Sequence, residues 1–127
     1  LYASPRYLEE NGEPDEPADL AHHQCLCQTR VGTWTLHNGT QTVEAGVSGR
    51  FHLNSIGMLR RLATLDMGIT FMPQEIVADE VAAGRLRRIM PQWQGLPMTI
   101  YAVTETRLLP AKTQRFIEFL RERLSRD

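Results

Sequence analysis

Apolar side chains recur at helical spacing in three stretches of this chain, capping residues mark a fourth, shorter helix, and one further helical turn lies between the first two. Ser4-Pro5 supplies a hydroxyl cap and a proline at the first helical position, and Asn11-Gly12 supplies an end. The predicted helices are residues 5–11, a single turn at 19–23 with Leu20 inward, Asn54-Ser55 to about Met67 with Gly68 as its cap, Pro73 to Gly84, and the stretch after Pro110. Their periodicity places these apolar residues on inward faces: Ile56, Leu59, Leu62, Ala63, Met67, Ile76, Val77 and Val81.

Between the helices, short apolar runs and alternating positions are typical of strands. Trp34 and Leu36 alternate with polar neighbours, and the pair Asn38-Gly39 favours a type I′ hairpin turn because both central residues of that turn need positive φ. The predicted strands are residues 24–28, 34–37, 40–45, 50–53, 69–72, 85–90 and Met98 to Val103. Because helices and strands alternate along the chain, the predicted fold class is α/β.

Composition narrows the classes of function. The 127 residues are 42% hydrophobic and carry 14 basic and 15 acidic side chains, for a net charge of −1. This length predicts one domain or one lobe of a two-lobed domain, and the near-neutral charge argues against a nucleic-acid-binding surface in this segment. No apolar run approaches the ~20 residues that span a bilayer. Since the chain begins at Leu1 without an initiator methionine, we treat it as part of a longer protein.

The cysteines and histidines show no metal-ligand spacing. Cys25 and Cys27 lie in one predicted strand, so both thiols should face the same side, where a disulfide between them is geometrically unfavourable. No second pair supplies the remaining ligands of a zinc site. We therefore predict reduced cysteines in a cytoplasmic protein, with no metal and no cofactor. The sequence also lacks a nucleophile elbow, a phosphate loop and a paired acid/base motif, which disfavours an enzyme.

The junction between a predicted strand and the helix that follows it is the most suggestive feature for binding. Asn54, Ser55, Ile56 and Gly57 form the first turn of that helix, where unpaired N–H groups and the positive end of the helix dipole favour an anion. In α/β sheets, ligands lie beyond the carboxyl ends of strands, and Phe71 lies in the end of another predicted strand, Phe71-Met72-Pro73, expected on the same side. An ordinary helix cap explains the same residues equally well.

An ordered series of short segments carries a family resemblance over essentially the whole chain. The segments are 3–8, 12–14, 17–22, Cys25-Leu26, Trp34, 49–54, 66–73, 82–86, 101–103, Arg107 and 116–120. In this order they resemble the effector-binding domain of LysR-type transcriptional regulators. The resemblance implies a type II periplasmic-binding-protein-like fold, in which two α/β lobes joined by crossover strands enclose an effector.

The resemblance also implies a division of the chain. Residues 1–4 would end the first crossover strand, 5–97 would form the second lobe, and 98–127 would contain the return crossover strand and the C-terminal helix of the first lobe. The chain would thus hold one full lobe plus the final strand and helix of the other. The N-terminal winged helix-turn-helix that binds DNA in this family would lie outside the chain.

The resemblance implies functional residues as well. Family members bind a small organic effector at the helix start that corresponds to Asn54, Ser55, Ile56 and Gly57, and Ser55 stands where the family commonly has aspartate. An uncharged residue there would leave the helix start open to an anionic effector. Effector domains of the family pair with one another, which makes Met58 and Arg61 candidate dimer contacts. The expected protein is a bacterial, cytoplasmic homo-oligomer that controls transcription.

The apolar face of the last helix carries a further expectation. Its side chains Phe116, Ile117, Leu120 and Leu124 would pack on first-lobe strands outside the chain, and leaving them in water costs ~1.5–3 kcal/mol each. We predict that they pack on another copy of the chain, with Phe116 and Leu120 in the interface, or that the end helix docks differently. Two other functions stay open on this sequence: a solute-binding protein of a transport system with the same fold class, and an enzyme built on a similar α/β lobe.

Overall fold

The computed structural model describes residues 1–96, 101, 103, 105 and 108–124. The chain divides into two compact units, Leu1–Leu96 and Pro97–Asp127, which are described separately below. The predicted strand from Met98 to Val103 lies outside the described residues, apart from the exposed Tyr101 and Val103.

The first unit combines two small sheets with three α-helices and a 3-10 helix, which confirms the predicted α/β class. Its elements are β1 (Tyr2–Ala3), α1 (Pro5–Asn11), the 3-10 helix (Pro17–His22), β2 (Cys25–Leu26), β3 (Val31–His37), β4 (Thr42–Ser48), α2 (Ile56–Thr64), β5 (Ile69–Thr70), α3 (Gln74–Ala82), β6 (Arg87–Arg88) and β7 (Gln94–Gly95). One sheet has the strand order β2-β5-β1-β6 and the other has the order β4-β3-β7. Strands β2 and β5 run parallel, whereas β1 runs antiparallel to both of its neighbours.

Capping chemistry sets the bounds of α1 as the sequence predicts. The Ser4 hydroxyl oxygen accepts a hydrogen bond from the backbone N–H of Tyr7 at 3.1 Å. At the other end, Gly12 has φ 82°, a left-handed conformation that glycine adopts without steric cost, and its N–H donates to the Leu8 carbonyl. Pro5 occupies the first helical position, where its missing N–H has no partner to lose.

The β3–β4 hairpin forms as predicted, but its turn does not. Strand pairing extends from Val31 opposite Ser48 to His37 opposite Thr42, which leaves a four-residue loop, 38–41. The predicted two-residue type I′ turn is therefore wrong, and in the loop Gly39 alone has positive φ. The Asn38 carboxamide oxygen instead accepts hydrogen bonds from the backbone N–H groups of Thr40 and Gln41, so its side chain stabilises a wider turn.

Helix α2 ends earlier than its apolar pattern predicts. The pattern continues to Met67, but the helix ends at Thr64. Asp66 has φ 65°, which a helix cannot accommodate, and its carboxylate accepts a hydrogen bond of 2.6 Å from the Ser4 hydroxyl. Gly68 is therefore not the helix cap, because three non-helical residues, 65–67, separate it from the helix end at Thr64.

The observed strands of the first unit differ in extent from the predicted ones; β2 and β5, for example, have two residues each where the sequence predicts 24–28 and 69–72. The stretch Arg50–Leu53 forms only an isolated bridge from His52 to Cys27, and β6 contains two of the six residues predicted at 85–90. Met90 has φ 45° and interrupts extended backbone before Pro91. Strand β7 was not predicted, because Gln94 and Gly95 show no apolar alternation. It pairs with β3, and the His37 Nε2 atom lies 3.1 Å from the Gly95 carbonyl oxygen.

Two apolar clusters pack on opposite sides of the β2-β5-β1-β6 sheet. Cys25, Cys27 and Ile69 belong to the cluster that includes Leu20 and Leu36, and Leu26 belongs to the cluster under α2 and α3. The two thiols therefore share one side, as predicted. The second cluster holds the following side chains, with half-buried residues around them: Tyr2, Leu26, Leu59, Ala63, Val77 and Leu86.

Two side chains predicted to face inward are exposed. Ile56 on α2 is 45% exposed and Val81 on α3 is 38% exposed. Each lies one turn from a buried neighbour on its helix, Leu59 and Val77 respectively. Ile56 is the first residue of α2 and Val81 lies in the last turn of α3, so both exposed side chains lie at helix ends.

The second unit contains helix α4 (Ala111–Leu124), which confirms the helix predicted after Pro110. Its apolar side chains Phe116, Phe119, Leu120 and Leu124 are all exposed, and Ile117 is half-buried. The guanidinium of Arg123 lies 5.0 Å from the centre of the Phe119 ring.

Candidate functional site

The start of α2 presents the four residues that the sequence indicates as a binding site. Ser55 is the helix cap, and its hydroxyl oxygen accepts a long hydrogen bond of 3.4 Å from the Met58 N–H. Asn54, Ser55, Ile56 and Gly57 are all exposed. The structure thus brings these four residues together at one accessible helix start, where N–H groups can meet a ligand.

Phe71, the fifth predicted site residue, packs within the fold. Its ring centre lies 5.4 Å from that of Trp34 in a tilted arrangement. A Cβ atom added to Gly95 would approach the Phe71 ring to 2.6 Å, so this glycine is needed for the close contact with β7. These contacts give Phe71 a packing role between the two sheets, and its contact with a ligand stays a prediction.

Met58 and Arg61, the candidate dimer contacts, lie three residues apart on α2 and are both exposed. Met58 is 52% exposed, a large fraction for an apolar side chain. This face is accessible to a partner, and its role in pairing stays a prediction, as does that of Phe116 and Leu120 on α4.

A cavity of about 500 Å³ lies beside the base of the hairpin and was not indicated by the sequence. It is lined by Gln24, Arg30, Val31, Ser48, Gly49, Arg50 and His52. Three of these side chains are basic or can become so, and none is acidic. The residues come from three separate segments, so no local motif could have pointed to them.

Backbone contacts hold one wall of this basic cavity close to the sheet. A Cβ atom on Gly49 would lie 2.2 Å from the carbonyl oxygen of Cys25, so only glycine fits there without moving the backbone. The next residue, Arg50, donates its backbone N–H to the Gln24 side-chain oxygen at 3.0 Å. Leu53 donates its N–H to the Cys27 carbonyl at 3.1 Å.

Gln24 connects this wall to the rest of the sheet. Its backbone N–H donates to the Tyr7 hydroxyl oxygen at 3.0 Å, and its carbonyl accepts from the Ile69 N–H at 2.8 Å. The Tyr7 hydroxyl lies 2.9 Å from the Nδ1 atom of His23. The hydroxyl oxygen accepts from Gln24, and its own hydrogen can be donated to Nδ1 in the tautomer of His23 that leaves this nitrogen unprotonated.

A second cavity, of about 580 Å³, has the opposite character. Its lining residues are Asp15, Glu16, Pro17, Ala18, Asn38, Gln41, Val43, Gln92 and Trp93. Two of them are acidic and none is basic. The Asp19 carboxylate accepts hydrogen bonds from the backbone N–H groups of Asp15 and Glu16, which lower the pKa of Asp19.

The two cysteines are free and buried in the core. Burial raises the pKa of Cys25 to about 12 and also raises the pKa of Cys27. The thiols lie within hydrogen-bond distance of carbonyl oxygens, 3.6 Å for Cys25 to Leu20 and 3.4 Å for Cys27 to Cys25. A buried thiol with a raised pKa holds little thiolate, the form that reacts or binds metal.

A metal site needs about three His, Cys, Asp or Glu side chains close together. The described part of the chain contains no such group. Over those same residues, no helix combines the length and apolar character needed to cross a membrane.

Comparison with protein families identifies the chain. Residues 1–125 match the family model of the LysR substrate binding domain, and the chain belongs to this family. It is 33% identical over 129 residues to the HTH-type transcriptional regulator PtxR of Pseudomonas aeruginosa, an alignment that covers 98% of this chain and 41% of that protein. The chain therefore spans about two fifths of the length of the curated relatives it matches.

Solved structures of the same family share the fold. The regulatory domain of AphB from Vibrio vulnificus superposes with a TM-score of 0.72 at 33% identity, covering 93% of this chain and 60% of that one. The regulatory domain of CrgA, a LysR-type transcriptional regulator from Neisseria meningitidis, gives a TM-score of 0.75 at 29% identity and covers 97% and 62%. The fold is accordingly that of LysR-type regulatory domains, type II periplasmic-binding-protein-like, as predicted.

Proposed function

We propose that this chain is the effector-sensing part of a LysR-type transcriptional regulator. The observation that carries the proposal is the family match over residues 1–125, reinforced by 33% identity to a curated HTH-type regulator over nearly the whole chain. The whole protein would bind DNA through an N-terminal helix-turn-helix, assemble as a homo-oligomer in the cytoplasm, and respond to a small organic effector. No catalytic residue is assigned.

The proposed division of the chain follows the lobes of the family fold. Residues 1–4 end the first crossover strand, 5–97 form the second lobe, and 98–127 return to the first lobe. The separation of the described chain into compact units at Leu96 and Pro97 supports this division.

The proposed effector contacts are Asn54, Ser55, Ile56 and Gly57. Their exposure at the start of α2 supports this assignment, since the first-turn N–H groups of a helix favour negative charge. Ser55 caps the helix without adding a negative charge of its own. The class of effector that suits this helix start best is a small organic anion.

The proposed mechanism is a shift between two conformations rather than covalent chemistry. An effector that binds one arrangement of the lobes or of the oligomer more tightly shifts the population toward it. The distant DNA-binding helices would then change their spacing, which couples effector binding to operator binding. Because the curated relatives are described as transcriptional regulators, the comparison favours this function over solute transport.

The proposal is tested on the full-length protein with a panel of small organic acids. We expect at least one acid to raise the melting temperature and to alter DNA binding in a gel-shift assay. Ser55→Asp should lower the affinity for that acid by about tenfold. The substitution places a carboxylate at the helix start, while aspartate still caps the helix. Gln114→Glu, which adds the same charge on α4, is the matched control.

The possible outcomes separate the two parts of the proposal. Equal affinity of wild type and Ser55→Asp for the acid would remove the α2 start from the site. Failure of the full-length protein to bind any DNA in a genome-wide binding selection would overturn the proposal that it is a transcriptional regulator.

A further inference from the structure

The lining of the basic cavity beside the hairpin carries basic side chains and no acidic one. We propose that it binds a small oxyanion, a phosphate or carboxylate group held by Arg30, Arg50 and His52. These side chains reach the same cavity from two segments, the β2–β3 connection and the stretch after β4. With no acidic side chain in the lining, nothing there neutralises their charge.

Arg30 and Arg50 are available to a ligand, whereas several other arginines are paired with glutamates. Among the described residues, Arg6, Arg85 and Arg87 form ion pairs with glutamates, and no described ion pair involves Arg30 or Arg50. Arg50 lies 5.7 Å from the centre of the Phe51 ring. Stacking on a ring uses the face of a guanidinium, so the N–H groups at its edge stay free to donate to oxygen.

The wall that carries Arg50 is already ordered, which lowers the entropic cost of binding. The backbone N–H of Arg50 donates a hydrogen bond to the Gln24 side-chain oxygen, and Gly49 packs directly on the Cys25 backbone. Gln24 is fixed in turn by its bonds to Tyr7 and Ile69. The guanidinium of Arg50 thus extends from a backbone that the sheet holds in place.

Polar groups that complement an anion complete the lining. The exposed Ser48 hydroxyl can donate to an oxygen, and His52 can donate a ring N–H. Two guanidinium groups offer paired N–H donors whose geometry matches a carboxylate or a phosphate. The set shares no residue with the proposed effector contacts at the α2 start, so this site goes beyond the proposed function.

Titration of the full-length protein in a buffer without phosphate tests the site. Inorganic phosphate and acetate are each added by isothermal titration calorimetry, with sodium chloride at matched ionic strength as the blank. We expect saturable binding of at least one of the two anions. The double variant Arg30→Gln, Arg50→Gln should weaken it by about tenfold or more, the scale expected for losing charge-assisted hydrogen bonds.

The control and the contrary results are distinct. The double variant Arg6→Gln, Arg87→Gln removes the same two charges outside the cavity, where each arginine pairs with a glutamate, and should leave anion binding unchanged. All the substituted arginines are exposed, so the variants should retain the melting temperature of the wild type. Binding of neither anion by the wild type, or equal affinity in the double variant, would overturn the proposal. Preference for phosphate or for acetate identifies the oxyanion class, and neither result bears on the organic acid at Ser55.

Discussion

The β2-β5-β1-β6 sheet is held in two different ways, in its interior and at its β2 edge. In the interior, Ile69 and the residues around it are fully buried, and the Thr70 hydroxyl is the one buried side-chain polar group without a hydrogen bond in the described part of the chain. At the edge, Gln24 uses its N–H, its carbonyl and its side-chain oxygen in hydrogen bonds to Tyr7, Ile69 and Arg50.

This difference indicates which residues of the domain serve stability alone and which can also serve binding. Burial of apolar area is non-directional and fixes the interior, whereas hydrogen bonds are directional and fix the positions of the edge residues. The basic cavity is built at the hydrogen-bonded edge, not over the core. Substitutions in the interior should therefore cost the most stability, and those at the edge should change binding as well.

The largest expected effect is that of Ile69→Ala. Removing a side chain that is 0% exposed leaves a cavity in the core, so the free energy of unfolding should fall by about 2–5 kcal/mol. Urea unfolding measures this, and Ile56→Ala, which truncates the same side chain at an exposed site, should cost no more than about 0.5 kcal/mol. A loss for Ile69→Ala as small as that expected for Ile56→Ala would mean that Ile69 is not central to the core.

Tyr7→Phe should have an intermediate effect at the edge. It removes the acceptor of the Gln24 N–H and the partner of His23, so the free energy of unfolding should fall by about 1–2 kcal/mol. Tyr2→Phe is the control, because no described hydrogen bond involves the Tyr2 hydroxyl. Anion binding in the basic cavity should also weaken in Tyr7→Phe, since Gln24 positions Arg50. A Tyr7→Phe protein as stable as the wild type would show that this hydrogen-bonded chain contributes little.

Thr70→Val should stabilise the protein, in contrast to the two substitutions above. Valine has the shape of threonine without the unbonded hydroxyl, so the free energy of unfolding should rise by about 1 kcal/mol. The same substitution at the exposed Thr42 should change stability little, as a comparison of the two melting temperatures would show. A destabilised Thr70→Val protein would indicate that the hydroxyl has a bonding partner.

The smallest expected effect is a pH dependence through His23. Burial lowers the pKa of His23 below its ordinary 6.5, the nearby Asp19 carboxylate opposes this shift, and His22 adds to it. The unfolded chain therefore takes up the proton first as pH falls. Stability should decline from about pH 6.5 down to the lower pKa of the folded state, level off below it, and gain nothing above pH 6.5.

The His23 effect is measured as a difference between proteins. The melting temperature of wild type minus that of His23→Asn should shrink between pH 8 and pH 5, because only the wild type loses stability by protonation of this residue. A difference that stays constant over this range would exclude His23 as the titrating group.

Local chemistry made much of the fold predictable. The Ser4 cap, Pro5 and Gly12 set the bounds of α1, and Ser55 sets the start of α2, since caps act within a few residues. Element ends decided by distant partners were missed. Helix α2 stops early where Asp66 meets the Ser4 hydroxyl, 62 residues away in sequence.

The sites divide in the same manner. The helix-start residues Asn54 to Gly57 could be named in advance because they are contiguous, and their role as effector contacts stays a proposal. The basic cavity could not be named, since Arg30 and Arg50 become neighbours of one cavity only when Gly49 packs against β2.

The sequence by itself determined the α/β class, the caps of α1 and the start of α2, the shared side of Cys25 and Cys27, and the LysR-type family, because each depends on local spacing or on an ordered series of segments. Only the tertiary structure decided which apolar faces are covered, how the hairpin turns, and where positive charge collects. Those features depend on contacts between residues far apart in the chain, and such contacts leave no periodic pattern in the sequence.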